Sequence, residues 1–168
     1  HSQSLHSLVS HIPGLKVALP SSAYEAKGLM KTAIRDNNPV VIFEDKLMYQ
    51  DKVEVPDEEY LIPFGEANIL LEGTDITVVA TSSMVQVAQK SAVELAHKGI
   101  SVEVIDPRTL VPFDEETVVK SVNKTSRALI IDEGHQSFGV SAEIAARIAE
   151  KSFYYLDAPV QRMGAMDV

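Results

Sequence analysis

Apolar positions along this chain fall into short runs whose period switches between helix and strand. Pro20-Ser21-Ser22 precedes Glu25, so Ser22 to Glu25 reads as a capping box at a helix start. Ala26, Leu29, Met30, Ala33 and Ile34 then share one face at helical spacing, and Asp36-Asn37-Asn38-Pro39 ends the helix. Val40-Val41-Ile42-Phe43 is a continuous apolar run, the pattern of a strand buried on both faces. With a short strand at Leu15 to Leu19, residues 1–44 read as helix, strand, helix, strand, which is too little to close a sheet of its own. From Asp45 to Pro63 the periodicity breaks into a charged, proline-punctuated connection with room for one short edge strand.

Beyond Pro63 the pattern is regular. Ala67 to Leu71 and Ile76 to Ala80 flank Glu72-Gly73-Thr74-Asp75, a hairpin signal. Strand starts recur at Ile76, Val102, Ala128 and Tyr154 at a constant interval. That interval holds one strand, one helix and two loops, so it predicts βαβ crossovers and a mostly parallel sheet with helices on both faces. Ser83 to Gln86 reads as a second capping box, followed by a stripe of Met84, Ala88, Ala92 and Leu95 that Gly99 ends. Asp114 caps a helix opening with Glu115-Glu116, and Val140, Ile144 and Ile148 mark the last helix.

Composition narrows the function classes. At 168 residues, with 45% hydrophobic and 23% charged residues, the chain reads as an ordinary soluble globular protein. No apolar run approaches the roughly 18–20 residues that span a bilayer, so a membrane partner is not expected. A formal charge of −9 disfavours nucleic acid, whose affinity comes from clustered Lys and Arg. The absence of cysteine excludes disulfides, thiolate zinc sites and a cysteine nucleophile, and fits a reducing cytoplasm. The chain opens at His1 inside a patterned segment, which reads as a piece of a longer protein.

Candidate chemistry gathers where strands end. Ile130-Ile131-Asp132-Glu133-Gly134-His135 and Ile105-Asp106-Pro107-Arg108 are apolar runs that turn polar at the carboxyl edge, where open α/β sheets bind ligands or partners. Glu133 and His135 form either an acid–base pair or a polar network that satisfies a helix start or an interface. Arg108 suits an anion clamp or, with no second basic group beside it, an ion pair across a subunit contact. Gly134 to Gly139 lacks the Lys-Ser/Thr of a phosphate loop, and neither G-x-G-x-x-G nor G-x-S-x-G occurs. His1, His6 and His11 are spaced so that a helix would splay them apart, which excludes a shared metal. His6 and His11 read as capping or surface histidines.

Several of these segments, in order, resemble one family along almost the whole chain. They are His1-Ser2-Gln3-Ser4, His11-Ile12-Pro13-Gly14-Leu15-Lys16-Val17, Pro20-Ser21-Ser22-Ala23-Tyr24-Glu25-Ala26-Lys27-Gly28-Leu29, Asn38-Pro39-Val40-Val41-Ile42-Phe43-Glu44, Asp106-Pro107-Arg108-Thr109-Leu110-Val111-Pro112-Phe113-Asp114 and Asp132-Glu133-Gly134-His135. The family is the beta subunit of the thiamine diphosphate-dependent first component of 2-oxo acid and acetoin dehydrogenase complexes. Asp45-Lys46-Leu47-Met48-Tyr49 and Gly134-His135-Gln136-Ser137-Phe138-Gly139 resemble the acetoin-cleaving branch, with pyruvate dehydrogenase as near neighbour.

The resemblance implies an α/β fold in which residues 1–45 are the C-terminal part of a pyrimidine-binding domain. Residues 46–63 are then a linker, and residues 64–168 a transketolase C-terminal-like domain cut short at its end. It implies a heterotetramer of two alpha and two beta subunits, thiamine diphosphate at their interface, and acyl transfer to the lipoyl acyltransferase component. His1 takes the place of a histidine that assists at the thiazolium, and is the one catalytic residue expected. Ala33, Asp36 and Asn38 resemble a loop whose backbone carbonyls hold potassium. The carboxylate that activates the aminopyrimidine is expected upstream of His1, and the diphosphate and its magnesium are expected on the alpha subunit. Two rivals stand beside this reading. One is a pure assembly module in which Arg108, Glu133 and His135 serve subunit contacts, and the other is a stand-alone small-ligand binder.

Overall fold

The structure is a computed structural model that describes residues 3–166. In chain order its elements are α1 (His6–Ser10), β1 (Lys16–Ala18), α2 (Ala23–Ile34), β2 (Val40–Ile42), a 3₁₀ turn (Lys46–Gln50), β3 (Asn68–Leu71), β4 (Ile76–Ala80), α3 (Met84–Ala96), β5 (Val102–Asp106), β6 (Thr109–Val111), α4 (Glu115–Thr125), β7 (Ala128–His135), α5 (Val140–Ser152) and β8 (Gln161–Ala165).

Five of the strands form one sheet in the order β3-β5-β4-β7-β8. β4 runs parallel to β5 and β7, and β7 parallel to β8. Strand alternation sends Val78 and Val79 to opposite faces. On one face Val78, Ala80, Val102 and Val104 pack against Val85, Ala88 and Ala92 of α3. On the other, Val79, Ile105 and Ile130 pack against Val118 and Val122 of α4 and Ile144 and Ile148 of α5. Each fully buried Val or Ile contributes roughly 1.5–3 kcal/mol. The α/β fold class, the parallel centre and helices on both faces are as the periodicity predicts.

A second, three-stranded sheet has the order β2-β1-β6. β1 is parallel to β2 and antiparallel to β6. β6 follows β5 immediately, so downstream chain completes the upstream sheet. Leu19 N–H donates to the Arg108 carbonyl (2.9 Å), and Gly65 N–H to the Thr109 hydroxyl (3.0 Å), which stitches the two lobes together.

Several expectations from pattern are corrected. The Glu72–Asp75 hairpin does not form, because β3 pairs antiparallel with β5 rather than with β4. β4 has both edges taken by parallel neighbours, so β3 has to cross to the outer edge of β5. The last strand starts at Gln161, not Tyr154, because α5 runs through Ser152 and Tyr154 lies in the turn behind it. β2 is half-buried along its length, since it is the edge of the small sheet. The buried face of α2 is Glu25, Gly28 and Leu29, while Met30 and Ile34 are exposed. The 46–63 connection holds the 3₁₀ turn and no strand. Ser83 makes no cap bond, whereas Ser22 caps α2 and Asp114 caps α4.

Candidate functional site

The carboxyl edge of β7 meets α1 and the start of α3. Asp132 is 2% exposed there and His6 is 4% exposed. His6 Nε2 lies 3.1 Å from each Asp132 carboxylate oxygen. The Thr81 hydroxyl donates to Oδ1 (2.5 Å) and Gly134 N–H to Oδ2 (3.0 Å). Burial pushes the Asp132 carboxyl up, but His6, Thr81 and the Gly134 N–H together hold it below the ordinary carboxylate range. An ionised carboxylate only accepts, so His6 Nε2 carries the proton between them. The His6 ring stands edge-on to Phe43, with centroids 6.1 Å apart.

Glu133 engages different groups. It accepts from Ser4 Oγ (3.3 Å) and from the Ser83 hydroxyl, and it faces Asp45. Burial and then the Asp45 carboxyl push Glu133 up, against the pull of the Ser83 and Ser4 hydroxyls. For Asp45, burial is outweighed by the Leu47 N–H, Glu133 and Ser83, and its carboxyl is held low. The two neighbouring carboxyls are thus pushed apart, Glu133 upward and Asp45 downward. The histidine paired with a β7 carboxylate is thus His6, on Asp132. His135 Nδ1 lies 3.1 Å from the Met166 carbonyl at the surface. His6 corrects the surface reading, because the stability of a five-residue helix depends on a tertiary anchor and His6 is the one it buries. His11 is exposed at the C-cap of α1, as expected.

Arg108 sits at the end of β5 with left-handed backbone (φ 57°). Its N–H donates to Asp106 Oδ1 (2.7 Å), and Nη2 reaches Glu25 Oε1 at 3.3 Å. Ser21 Oγ donates to the other Asp106 oxygen at 2.5 Å. Arg108 thus makes an ion pair within the chain, between the two lobes.

The remaining expected residues divide. His1 lies outside the described residues. Ala33, Asp36 and Asn38 come together in one turn at the end of α2. The Asp36 N–H donates to the Ala33 carbonyl (3.2 Å), and Asn38 N–H and Nδ2 donate to Asp36 Oδ1 (2.8 and 2.9 Å). Lys16 and Asn38 bonds hold the Asp36 carboxyl down to about 2. Sequence reasoning missed Ser4, His6, Asp45, Thr81 and Ser83 as partners of β7. They are brought to it by tertiary folding, and no local period marks them.

Two clefts flank the exposed Phe138. One, of about 370 Å³, is lined by Ser7, Ser10, His11, Phe113, Glu143 and Arg147 among others. The other, of about 350 Å³, is lined by Ser4, Leu8, His11, His135 and Ser137 among others. Both border α1, the first at Ser7 and Ser10 and the second at Leu5 and Leu8.

Comparison with known proteins bears on this arrangement. Residues 65–168 match the transketolase C-terminal domain, and residues 1–52 the transketolase pyrimidine binding domain. The chain is 48% identical over 165 residues to the acetoin:2,6-dichlorophenolindophenol oxidoreductase subunit beta of Bacillus subtilis (strain 168), covering 98% of this chain and 48% of that protein. It is 45% identical over 168 residues to the pyruvate dehydrogenase E1 component subunit beta of Staphylococcus epidermidis, covering 99% and 52%. It is 46% identical over 168 residues to the mitochondrial 2-oxoisovalerate dehydrogenase subunit beta 2 of Arabidopsis thaliana, covering 99% and 47%. Among solved structures, a split gene transketolase described as an inactive beta4 tetramer superposes with a TM-score of 0.79 at 27% identity, over 97% of this chain and 52% of that one. The chain spans about half the length of the curated relatives it matches.

Proposed function

Since the chain belongs to the transketolase family, with that family's C-terminal domain over residues 65–168, we propose that it works in the beta subunit of a thiamine diphosphate-dependent dehydrogenase that cleaves acetoin and passes the acyl group to lipoamide. The observation that carries the reading is whole-chain similarity to beta subunits of acetoin and pyruvate dehydrogenases. Identities of 48% and 45% do not separate the two substrates. The acetoin choice rests on Asp45–Tyr49 and Gly134–Gly139, and pyruvate is the second reading. In this proposal residues 1–45 belong to a pyrimidine-binding domain, 46–63 link, and 64–168 form the C-terminal domain. The partners are an alpha subunit, a second beta subunit and a lipoyl acyltransferase, in the cytoplasm. No helix among the described residues is long and apolar enough to cross a membrane.

The described residues do not by themselves fit the coenzyme. No three His, Asp or Glu side chains among them converge as a magnesium site. Asp132 and Glu133 are taken by His6, Thr81, Ser4 and Ser83. In this proposal the alpha subunit holds the diphosphate and magnesium, and His1 is the catalytic residue on this chain. What these residues do instead is hold the polypeptide that leads from His1.

The test is co-purification with an alpha subunit of an acetoin or pyruvate dehydrogenase, followed by coenzyme-dependent reduction of 2,6-dichlorophenolindophenol. We expect turnover only in the complex, acetoin favoured by about tenfold or more, and a loss of about 100-fold for His1→Ala. Failure to associate with either alpha subunit rejects the reading, and faster turnover of pyruvate rejects the acetoin assignment.

We also propose that backbone carbonyls of Ala33, Asp36 and Asn38 hold potassium. They lie at the negative end of α2, where the last carbonyls of a helix carry partial negative charge. Exchanging sodium for potassium at constant ionic strength should raise the melting temperature by about 3 °C. An unchanged melting curve rejects the site.

A further inference from the structure

The segment directly behind His1 is anchored unusually. α1 has five residues, too few to be stable alone. Its leucines do not fasten it, since Leu8 is 66% exposed and the preceding Leu5 48%. Its one buried side chain is His6, which is tied to a carboxylate. Two positions earlier, Ser4 is tied to the next residue of the same strand, Glu133. Segments held only for packing bury apolar side chains; this one buries a charge-assisted hydrogen bond, whose direction and length are stricter than those of a hydrophobic contact.

We propose that Asp132 and Glu133 are positioning residues: successive carboxylates at the end of β7 clamp His6 and Ser4 and so set where the polypeptide leading from His1 lies against the C-terminal lobe. Its catalytic meaning rests on the coenzyme-site reading above; the clamp itself does not.

The clamp is built in depth. Asp132 cannot swing, because Thr81 from the end of β4 and the Gly134 N–H fix its two oxygens. Gly134 is required there, since a Cβ would stand 2.6 Å from Asp132 Oδ2 and 3.5 Å from His6 Nε2. Glu133 is fixed from the start of α3 by Ser83 and from the loop after β2 by Asp45. The charged and titratable groups facing the clamp are thus Asp45, His6, Asp132 and Glu133, drawn from three parts of the chain. Elements of both lobes converge on Ser4 and His6, since Phe43 and Asp45 follow β2 while Asp132, Glu133, Thr81 and Ser83 belong to the large sheet and α3.

The experiment is amide hydrogen exchange on the chain, wild type against Asp132→Asn, Glu133→Gln, His6→Gln and His6→Ala. Glutamine keeps an Nε2–H donor in place of the imidazole's; alanine does not. For Asp132→Asn and His6→Ala we expect residues 4–10 to exchange about tenfold faster or more while the amides of β4 and β5 keep their protection. His6→Gln should restore most of the protection. Unchanged exchange over residues 4–10, or equal loss in β4 and β5, overturns the clamp, as does failure of His6→Gln to rescue. If Asp132→Asn does not fold, Glu133→Gln and the two His6 variants decide alone.

A second arm uses the complex with the alpha subunit. There Asp132→Asn should lower kcat by about tenfold or more with KM little changed, the mark of misplaced reacting groups. Loosened exchange with unchanged kcat overturns the positioning role. Should the wild-type complex lack coenzyme-dependent turnover, the functional reading fails, while the exchange arm still judges the clamp.

Discussion

Gly73→Ala should strongly destabilise the large sheet. Gly73 is buried between β3 and β4, where the chain crosses the start of β5, and its N–H donates to Glu103 Oε2 at 3.2 Å. A Cβ there would overlap the Val102 carbonyl carbon and the Glu103 nitrogen, and would lie 2.7 Å from the Val102 oxygen. Those are backbone atoms of a strand buried at every position, so nothing flexible can yield. Separating β3 from β5 would also expose Glu103, whose carboxylate is held low against burial by Lys124, Ser121 and the Gly73 N–H. Overpacking against a side chain costs about 1–3 kcal/mol, and against rigid backbone we expect about 3 kcal/mol or more. For a chain of this size that is roughly 6–12 °C in melting temperature. Gly99→Ala is the control. Gly99 has φ +77° with nothing within 4 Å of the added Cβ, so only backbone strain of about 1 kcal/mol applies. Equal melting temperatures for Gly73→Ala and wild type would refute the crossing.

That crossing shows where sequence reading stopped. Ala67–Leu71 and Ile76–Ala80 both read correctly as strands, because period and β-branching are local properties. Their partners are not local. Two adjacent strands with a glycine between them read as a hairpin, and only the competition for the edges of β4 sends β3 to β5. Met30 and Ile34 share the apolar stripe of α2 yet lie exposed for a similar reason. Helical spacing marks an apolar stripe, but only its Leu29 is fully covered, and the buried face turns toward Gly28 and Glu25 because Tyr60 and Ile62 of the connection pack against Gly28. A short sheet completed by β6, which lies far downstream, is invisible to any window of residues.

The site was legible in half. Asp132, Glu133, Asp106 and Arg108 stood out because polar groups closing an apolar strand run mark a carboxyl edge, and all four take part in dense polar networks. Their partners did not stand out. His6 looked like one of three evenly spaced histidines, and nothing in its neighbours says that Asp132, 126 positions away, would bury it. Ser4, Thr81 and Ser83 are the commonest kind of surface residue until a fixed carboxylate gives them work. Polar networks built from single residues on separate elements leave no periodic trace, whereas the sheet that brings them together does.

Asp106→Asn should stabilise the protein at neutral pH and lose that advantage in acid. Asp106 is fully buried, and burial pushes its carboxyl up to about 6 although Ser21 and the Arg108 N–H pull the other way; the Glu25 charge adds to the rise and the Arg108 charge opposes it. A folded-state value above the unfolded one means that the native protein binds this proton more tightly. The stabilisation is therefore complete below about pH 4, near the unfolded value, and it is lost as pH rises through about 6. Above that, an ionised, buried Asp106 costs up to about 3 kcal/mol by this linkage. Asparagine has no proton to lose and keeps the geometry. Its Oδ1 can accept from Arg108 N–H where Asp106 Oδ1 now does, and its Nδ2 can donate to Ser21 Oγ. The variant should melt roughly 6–12 °C above wild type at pH 7.5 and within about 2 °C of it at pH 4. A gain of equal size at both pH values would mean that packing rather than ionisation sets the difference, and no gain at pH 7.5 would mean that Arg108 already neutralises the charge. A carboxylate retained at such a cost has a second task in this fold. By holding the N–H of Arg108 it fixes a left-handed residue, and with it the guanidinium that joins the two lobes through Glu25.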